Sequence, residues 1–516
     1  MAVPTREVLV ACCDRAHVGD AEGARAIAGL VERALDGVRG ELVADLCADP
    51  AGAEPDGAGG LVLGLCGPGP SSADLQALAR RHGLDPFAVE VVDVELLGRL
   101  GPPSSFPERT ATALASAAAA LLAGGPTPPG RMLLRLGGGE VSRRGLLAGA
   151  AVTYRPVARI EQQACLGSER CGLCVAACPV GAIAGSHPYP SVDTDACVGC
   201  AACVGACPVD AVGVGGAASE QLEARMDAVW ARPWRERPGV LFACRGAARA
   251  VGREADTGDG PSADAGAGAV RAGPGWVPVL VPCLAAVTEG WLLQAVAAGA
   301  PAIGVLGCGE RCGAGSLPRT AERLAYARAV LGPERVRSAR ADAPEPLAPL
   351  AAPMPPPCPA RGIPSLVHEP QATAAALGAL APPGLDLQGG SLGVPSVRTD
   401  GCTLCGTCTT VCPTGALRME GEAEAPALTL DAARCVACGH CAEICPERVV
   451  TVLRRTGPET LAGRLVLKRA EVGRCRRCGA PVAPEPMLAR IRELLPDESP
   501  ALLEVLTGLC LDCRGR

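Results

Sequence analysis

CTLCGTCTTVCP at residues 402–413 and CVACGHCAEICP at residues 435–446 decide how this chain reads. Both follow C-x2-C-x2-C-x3-C-P, and CVGCAACVGACP at 197–208 repeats the pattern a third time. A fourth set, Cys165, Cys171, Cys174 and Cys178-Pro179, keeps the later spacings but places five residues, Leu166–Arg170, between its first two cysteines. The four sets form two modules, each with two halves. CPVGAI after Cys174 leads to Cys197 as CPTGAL after Cys408 leads to Cys435, so the modules are an internal repeat.

Two-residue spacing places three thiolates on one tight loop, where they reach three irons of one cubane. The fourth cysteine, at the start of a helical turn opened by proline, points away toward the other half. Small residues between ligands, such as Gly199, Ala201, Gly406, Ala437 and Gly439, let backbone N–H groups approach sulfur. These motifs resemble bacterial two-cluster ferredoxins. The resemblance implies four 4Fe–4S clusters held by cross-paired ligands: Cys402, Cys405, Cys408 with Cys445; Cys435, Cys438, Cys441 with Cys412; Cys197, Cys200, Cys203 with Cys178; and Cys165, Cys171, Cys174 with Cys207. The long first loop leaves a 3Fe–4S cluster or a labile iron open at the last of these. Zinc or free thiols are the competing reading for the sixteen cysteines, but zinc sites have no need of a two-fold C-P repeat.

Composition agrees. The chain has 516 residues, 29 cysteines, 66 glycines, 48 prolines and 2% aromatics. In so long a chain, with a first strand at its start and no secretory pattern, thiols are expected free or metal-bound in a reducing cytoplasm. SRRGLL at 142–147 resembles a twin-arginine export motif but lies far from the start and reads as a basic linker. No apolar run reaches about 18 residues, so no membrane span is expected. The 48 basic and 54 acidic residues are mixed along the chain, which argues against nucleic acid; the longest basic patch is Lys468–Arg477.

The expected fold is α/β and α+β multidomain: two ferredoxin-like dicluster modules, two small parallel-sheet α/β domains and a C-terminal four-cysteine knuckle. Residues 1–125 alternate strands (Glu7–Ala11, Leu61–Leu65, Val89–Val92) with helices (Ala21–Leu35, Ala73–His82, Thr110–Ala123). A linker at 126–158, a dicluster module at 159–215 and a second α/β domain at 236–335 follow. The last carries strands Gly239–Ala243, Val277–Val281 and Ala302–Leu306, with helices Ala286–Ala298 and Pro318–Val330. A Pro/Ala-rich linker at 336–390, the second module at 391–455 and a zinc-ribbon-like tail at 470–516 complete the division.

In the second α/β domain Cys244, Cys283, Cys308 and Cys312 each follow a strand, and loops at the carboxyl ends of parallel strands converge on one edge. Four thiolates there suit one 2Fe–2S cluster; buried structural thiols or another metal are the alternatives. VPCL at 281–284 and APAIGVLGCGERC at 300–312 are similar to the delta iron–sulfur subunit of methyl-viologen-reducing hydrogenases. That resemblance, over about Gly239–Gly332, implies electron transfer between a hydrogenase and a heterodisulfide reductase. Fewer cysteines near Cys244 and a shorter last spacing depart from the family.

In the first domain Cys12, Cys13, Cys47 and Cys66 are candidate cluster ligands, with buried thiols as the rival reading, since adjacent Cys12 and Cys13 are awkward joint ligands. CGP at 66–68 and HGLDPFAVE at 82–90 resemble the amino-terminal region of the flavin-bearing subunit of heterodisulfide reductases. No G-x-G-x-x-G strand–turn–helix occurs, so no flavin or nicotinamide site is expected. In the tail, Cys475, Cys478, Cys510 and Cys513 form paired C-x2-C knuckles that suit zinc, with an iron–sulfur cluster or a redox dithiol as alternatives. Cys358 stands alone as a linker thiol. The five histidines, His17, His82, His187, His368 and His440, join no catalytic pattern, and Glu289 and Trp291 read as capping and packing residues.

The expected function is a cytoplasmic multi-cluster electron-transfer subunit of a redox complex, with hydrogenase, flavoprotein or dehydrogenase subunits as protein partners. A disulfide-reducing iron–sulfur enzyme and a redox-sensing scaffold are the alternatives.

Overall fold

The computed structural model describes residues 7–14, 21–67, 69–124, 131–134, 152–231, 234–253, 274–315, 317–358, 370–422, 424–495 and 499–514. The expected basic linker at 142–147 and the Gly/Ala/Asp-rich stretch at 256–273, which the sequence leads one to expect as a loop, lie outside them. The chain divides into two compact units: Met1–Cys165 with Leu173–Ala372, and Leu166–Gly172 with Thr373–Arg516.

The first unit opens with β1 (Val8–Cys13), α1 (Ala21–Glu32), β2 (Val38–Val43), β3 (Gly60–Leu65), α2 (Ser72–Arg81), β4 (Val89–Asp93), α3 (Val94–Arg99) and α4 (Phe106–Ala123). Strands β1 to β4 form an all-parallel sheet in the order β2-β1-β3-β4. Strands β1 and β3 are buried along their whole length, as apolar runs covered on both faces must be. Helix α2 starts from a reciprocal capping box in which the Ser71 hydroxyl accepts from the Asp74 N–H and the Asp74 carboxylate accepts from the Ser71 N–H. The alanines of α4 are buried on almost every side because the helix packs on the sheet, on the helix Ser219–Trp230 and on the strand Trp276–Val281, and small side chains let the backbones approach.

Next come β5 (Arg131–Leu134), β6 (Val152–Arg155), β7 (Ala158–Ile160), α5 (Leu173–Ala177), β8 (Ile183–Ala184), β9 (Ser191–Val192), β10 (Val212–Val214) and α6 (Ser219–Trp230). Strands β5 and β6 pair antiparallel inside the stretch expected as a linker at 126–158, and the reciprocal hydrogen bonds of Gln76 with the Tyr154 backbone (2.7 Å each) tie β6 to α2. The dicluster module is framed by two short antiparallel pairs, β7 with β10 and β8 with β9.

The second α/β domain has β11 (Gly239–Cys244), α7 (Arg245–Arg253), β12 (Trp276–Val281), α8 (Glu289–Ala297), β13 (Ile303–Gly307), α9 (Leu317–Leu331) and β14 (Val336–Arg340), followed by α10 (Pro370–Leu380). Its sheet is all parallel in the order β12-β11-β13-β14, the topology of the first domain. Strand β14 falls inside the expected linker at 336–390, and the following turn is anchored by the Trp276 indole N–H donating to the Leu350 carbonyl (3.0 Å). The domain therefore runs past residue 335: VRSAR is too charged and short to read as a strand, yet it pairs with β13 and completes the sheet at its half-buried edge. Glu289 and Trp291 are buried in α8, and the Glu289 carboxylate faces Arg323 at 3.8 Å.

In the second unit are β15 (Leu387–Gln388), β16 (Val394–Val397), α11 (Thr407–Thr410), β17 (Leu417–Glu420), β18 (Ala427–Asp431), α12 (His440–Glu443), β19 (Val450–Leu453), β20 (Arg455–Thr456) and β21 (Arg464–Arg469). Strand β16 pairs with β19, β15 with β20, and β17-β18-β21 make an antiparallel sheet. The module thus extends beyond residue 455 to include β21. The tail holds a hairpin of β22 (Val472–Arg474) and β23 (Pro481–Pro484), then α13 (Glu485–Leu494), α14 (Pro500–Gly508) and α15 (Leu511–Arg514). Of the expected basic patch, Arg474 pairs with Glu424 (2.5 Å) and the Lys468 ammonium donates to the Thr399 carbonyl (3.0 Å).

Candidate metal centres

The three regular cysteine loops share one backbone conformation. The residue before the middle cysteine has positive φ in each, at Gly199 (68°), Leu404 (55°) and Ala437 (49°), and so does the residue after it, at Ala201 (60°), Gly406 (77°) and Gly439 (92°). Side-chain-bearing residues avoid that region unless the surroundings impose it. Here two left-handed turns flanking one cysteine curl the loop so that its three thiols face one point. Each Cys-Pro turn also ends in a left-handed residue, Gly181 (64°), Asp210 (51°), Gly415 (62°) and Arg448 (51°). The irregular loop retains Gly167 (84°) two residues after Cys165, but shows no positive φ next to Cys171.

Three cavities result, each walled by three thiols of one loop and one from the opposite half. Cys402, Cys405, Cys408 and Cys445 line the first, Cys435, Cys438, Cys441 and Cys412 the second, and Cys197, Cys200, Cys203 and Cys178 the third. Of the irregular set, Cys165 and Cys207 lie close enough for the charge of Cys165 to raise Cys207. Cys171 and Cys174 are half-buried and buried.

Most of the shifted thiols in these cavities resist ionisation, whereas at Cys405 burial is outweighed by hydrogen bonds with Thr407 and Thr403, which hold it below the usual thiol value. Burial first, and then the negative charge of the neighbouring thiolates, lifts Cys408 and Cys435 to about 11 and Cys441 to about 12. Four thiolates sharing one cavity need a cationic core to offset their repulsion, which is the fit expected of an iron–sulfur site. Backbone N–H groups already point at sulfur: Ala182 at Cys178 and Ala211 at Cys207 (3.2 Å each), and Ala158 at Cys197 (3.4 Å).

In the second α/β domain Cys244 ends β11, Cys283 follows β12, and Cys308 and Cys312 follow β13. Cys244 Sγ lies 3.2 Å from Cys308 Sγ, Cys283 is also hydrogen-bonded to Cys244, and Cys308 feels the charges of Cys312 and Cys283. All four converge on one edge of the sheet.

The first domain brings together Cys13, Cys47 and Cys66, whose sulfur atoms lie within 4.8 Å of one another. Cys12 does not join them. Successive strand residues face opposite ways, so Cys12 enters the core between the sheet and α4 while Cys13 faces the other side. The four-cysteine expectation is corrected to three.

The tail brings Cys475, Cys478, Cys510 and Cys513 within the same 4.8 Å limit. Backbone N–H groups, that of Cys510 foremost, hold Cys475 down to about 6, while burial and the other thiols push Cys513 up to about 12. Cys358 is half-buried.

One signal escaped sequence reading. The residue before Cys13 pairs with the residue two before Cys66 (Cys12 with Gly64), and the residue before Cys244 pairs with the residue two before Cys308 (Ala243 with Leu306). Identical topology and register make the two α/β domains structural counterparts. VLVAC at 8–12 with VLFAC at 240–244, and LCG at 65–67 with GCG at 307–309, are short echoes of this in the residues.

Residues 164–211 and 401–449 match the family model of the 4Fe-4S dicluster domain. No match to the chain was found among curated proteins. No helix among the described residues is long and apolar enough to cross a membrane. With two 4Fe-4S dicluster domains and their cysteine-lined cavities, the chain is an iron–sulfur protein of the electron-transfer kind.

Proposed function

We propose that the chain is the electron-transfer subunit of a hydrogenase- or heterodisulfide-reductase-like complex, relaying electrons between partner oxidoreductases. The observation that carries this reading is the set of three cavities in which each loop's three thiols meet a fourth from the other half. On this reading Cys402, Cys405, Cys408 and Cys445, their counterparts in the other two cavities, and Cys165, Cys171, Cys174 and Cys207 each hold one 4Fe–4S cluster. Cys244, Cys283, Cys308 and Cys312 hold a 2Fe–2S cluster, and the tail tetrad holds zinc. Cys13, Cys47 and Cys66 offer three thiolates to a further metal and leave one coordination position for another ligand.

Bound clusters supply one-electron acceptance and release. The chain's own groups set how readily that happens. N–H donors from Ala158, Ala182 and Ala211 favour charge on sulfur, and the apolar packing around Leu404, Leu417, Leu430 and Val450 keeps water away in the second module. The closed tail tetrad is suited to a structural ion, which needs no open position.

Metal and sulfide analysis of anaerobically purified protein tests the reading. Four cubanes and one 2Fe–2S centre require about eighteen irons per chain, with about one zinc. Fewer than about eight irons, or turnover of hydrogen or a disulfide by the isolated chain at enzymatic rates, removes it.

A further inference from the structure

A cavity of about 330 Å³ lies inside the first unit, between β4 and α2 of the first α/β domain and α7 and β12 of the second. Its size falls at the lower end of the range of small-molecule sites, roughly 300–1,000 Å³. Leu75, Phe87, Val91, Leu96, Ala117 and Leu280 supply much of its wall. Set among them are three guanidiniums, Arg225, Arg245 and Arg249, and two carboxyls, Glu90 and Asp93. No metal-ligand cysteine lines it.

The polar groups are built in. Glu90 is 6% exposed and Arg225 1%, and the Glu90 carboxylate accepts from Arg225 and from Arg245 (2.6 Å). This pairing neutralises one guanidinium and leaves positive charge over. Arg249 reaches across to α2, donating to the Pro70 carbonyl (2.6 Å) and facing the Ser72 hydroxyl (3.5 Å). Two buried atoms have no partner: Arg225 Nε and Asp93 Oδ2. Asp93 Oδ1 is already taken by the backbone N–H groups of Leu96 (3.0 Å) and Gly67 (3.2 Å). An unpaired buried donor and acceptor each carry a desolvation penalty that a bound molecule relieves.

We infer that this cavity binds a small organic anion: an apolar, ring-sized body, an acidic group drawn to the Arg245 and Arg249 side, and an N–H or O–H donor for Asp93. Gly246 lines the cavity and abuts the thiols of the second domain, since a Cβ placed on it would lie 3.4 Å from Cys308 Sγ and 3.9 Å from Cys244 Sγ. The occupant therefore sits one backbone thickness from the four-thiol group. Binding itself does not depend on what those thiols hold.

Isothermal titration calorimetry on the anaerobically prepared full chain tests this with two matched probes. One is 8-anilino-1-naphthalenesulfonate, which carries the apolar rings, the N–H and an acidic group; the other is N-phenyl-1-naphthylamine, which lacks the acid. The expected result is one saturable site for the sulfonate, with about tenfold preference over the neutral probe, equivalent to about 1.4 kcal/mol. Arg249→Gln is expected to erase that preference. Ser72→Trp, at an exposed position on the rim, and Ala117→Phe, in the wall, are expected to weaken both probes about tenfold or more. Ser72→Trp leaves the core untouched, so it remains informative if Ala117→Phe misfolds. Absence of saturable binding, an undiminished preference in Arg249→Gln, or unchanged affinity in Ser72→Trp overturns the proposal.

Discussion

Cys200 of the first dicluster module and Cys283 of the second α/β domain belong to one small apolar cluster with Ala202, Ala285 and Ala314. They are close enough for the charge on Cys283 to raise the Cys200 thiol, which burial chiefly lifts to about 11. Two thiol groups on different domains of the first unit thus become neighbours, and Arg319 clamps the arrangement by donating to the Ala177 (2.6 Å) and Ala176 (3.1 Å) carbonyls of α5. Cys283→Ser is expected to remove about two irons per chain and leave the cubanes in place. In electron paramagnetic resonance of the fully reduced protein, the spin-coupling broadening from this adjacency should be present in the parent and lost in the variant.

Gly205 marks a tight contact between the same two domains. A Cβ at this position would lie 2.5 Å from the Ala286 carbonyl oxygen, a backbone atom that has no easy way to yield. Gly205→Val is expected to destabilise the first unit by about 1–3 kcal/mol, the usual range for overpacking. A thermal midpoint unchanged within a degree would contradict this.

Asp93 caps α3 from a buried position. Burial foremost, helped by Glu95 and opposed by the N–H groups of Leu96 and Gly67, raises its carboxyl from 3.8 to about 6. For an acid raised in the folded state, the native protein binds more protons than the unfolded chain between those values, so stability falls as pH rises from about 4 through 6. Asparagine caps a helix about as well as aspartate and carries no charge. Asp93→Asn is therefore expected to gain on the order of 2 kcal/mol over the parent at pH 7.5, to keep roughly half of that near pH 5 and to lose it below about pH 4. Thermal midpoints of the two proteins across this interval would reveal the crossover.

Cys12 and Cys66 should respond in opposite ways to replacement. Cys12 is a core side chain, 5% exposed, so Cys12→Ala is expected to lower stability by about 1 kcal/mol without changing metal content. Cys66→Ala removes one of three convergent thiols and is expected to reduce metal bound per chain while barely changing the melting temperature. Parallel metal analysis and calorimetry distinguish them.

In the tail, Cys478→Ser breaks a tetrad whose Cys478 and Cys510 sulfur atoms lie 3.5 Å apart. Loss of about one zinc per chain, with iron and sulfide unchanged, is the expected outcome. A zinc count equal to the parent's would assign that metal elsewhere.

The sequence by itself determined the two dicluster modules, because a cubane demands thiolates at spacings that a tight loop alone can deliver. The cross-pairing of the ligands came from the resemblance to two-cluster ferredoxins, and in three of the four sets the four thiols line one cavity. Strands such as β3 and β13 were legible as unbroken apolar runs, whereas β2 and β14, VRGELV and VRSAR, were not. Their half-exposed side chains alternate with charge, and they are strands because a neighbouring edge pairs with them. Only tertiary structure decided that Cys12 leaves the thiol group that Cys13 enters, that the two α/β domains share topology and register, and that Cys200 meets Cys283. Those facts depend on which face of a strand is buried and which loops meet in space. Local spacing carries the chemistry of one loop and says nothing about what another domain brings against it.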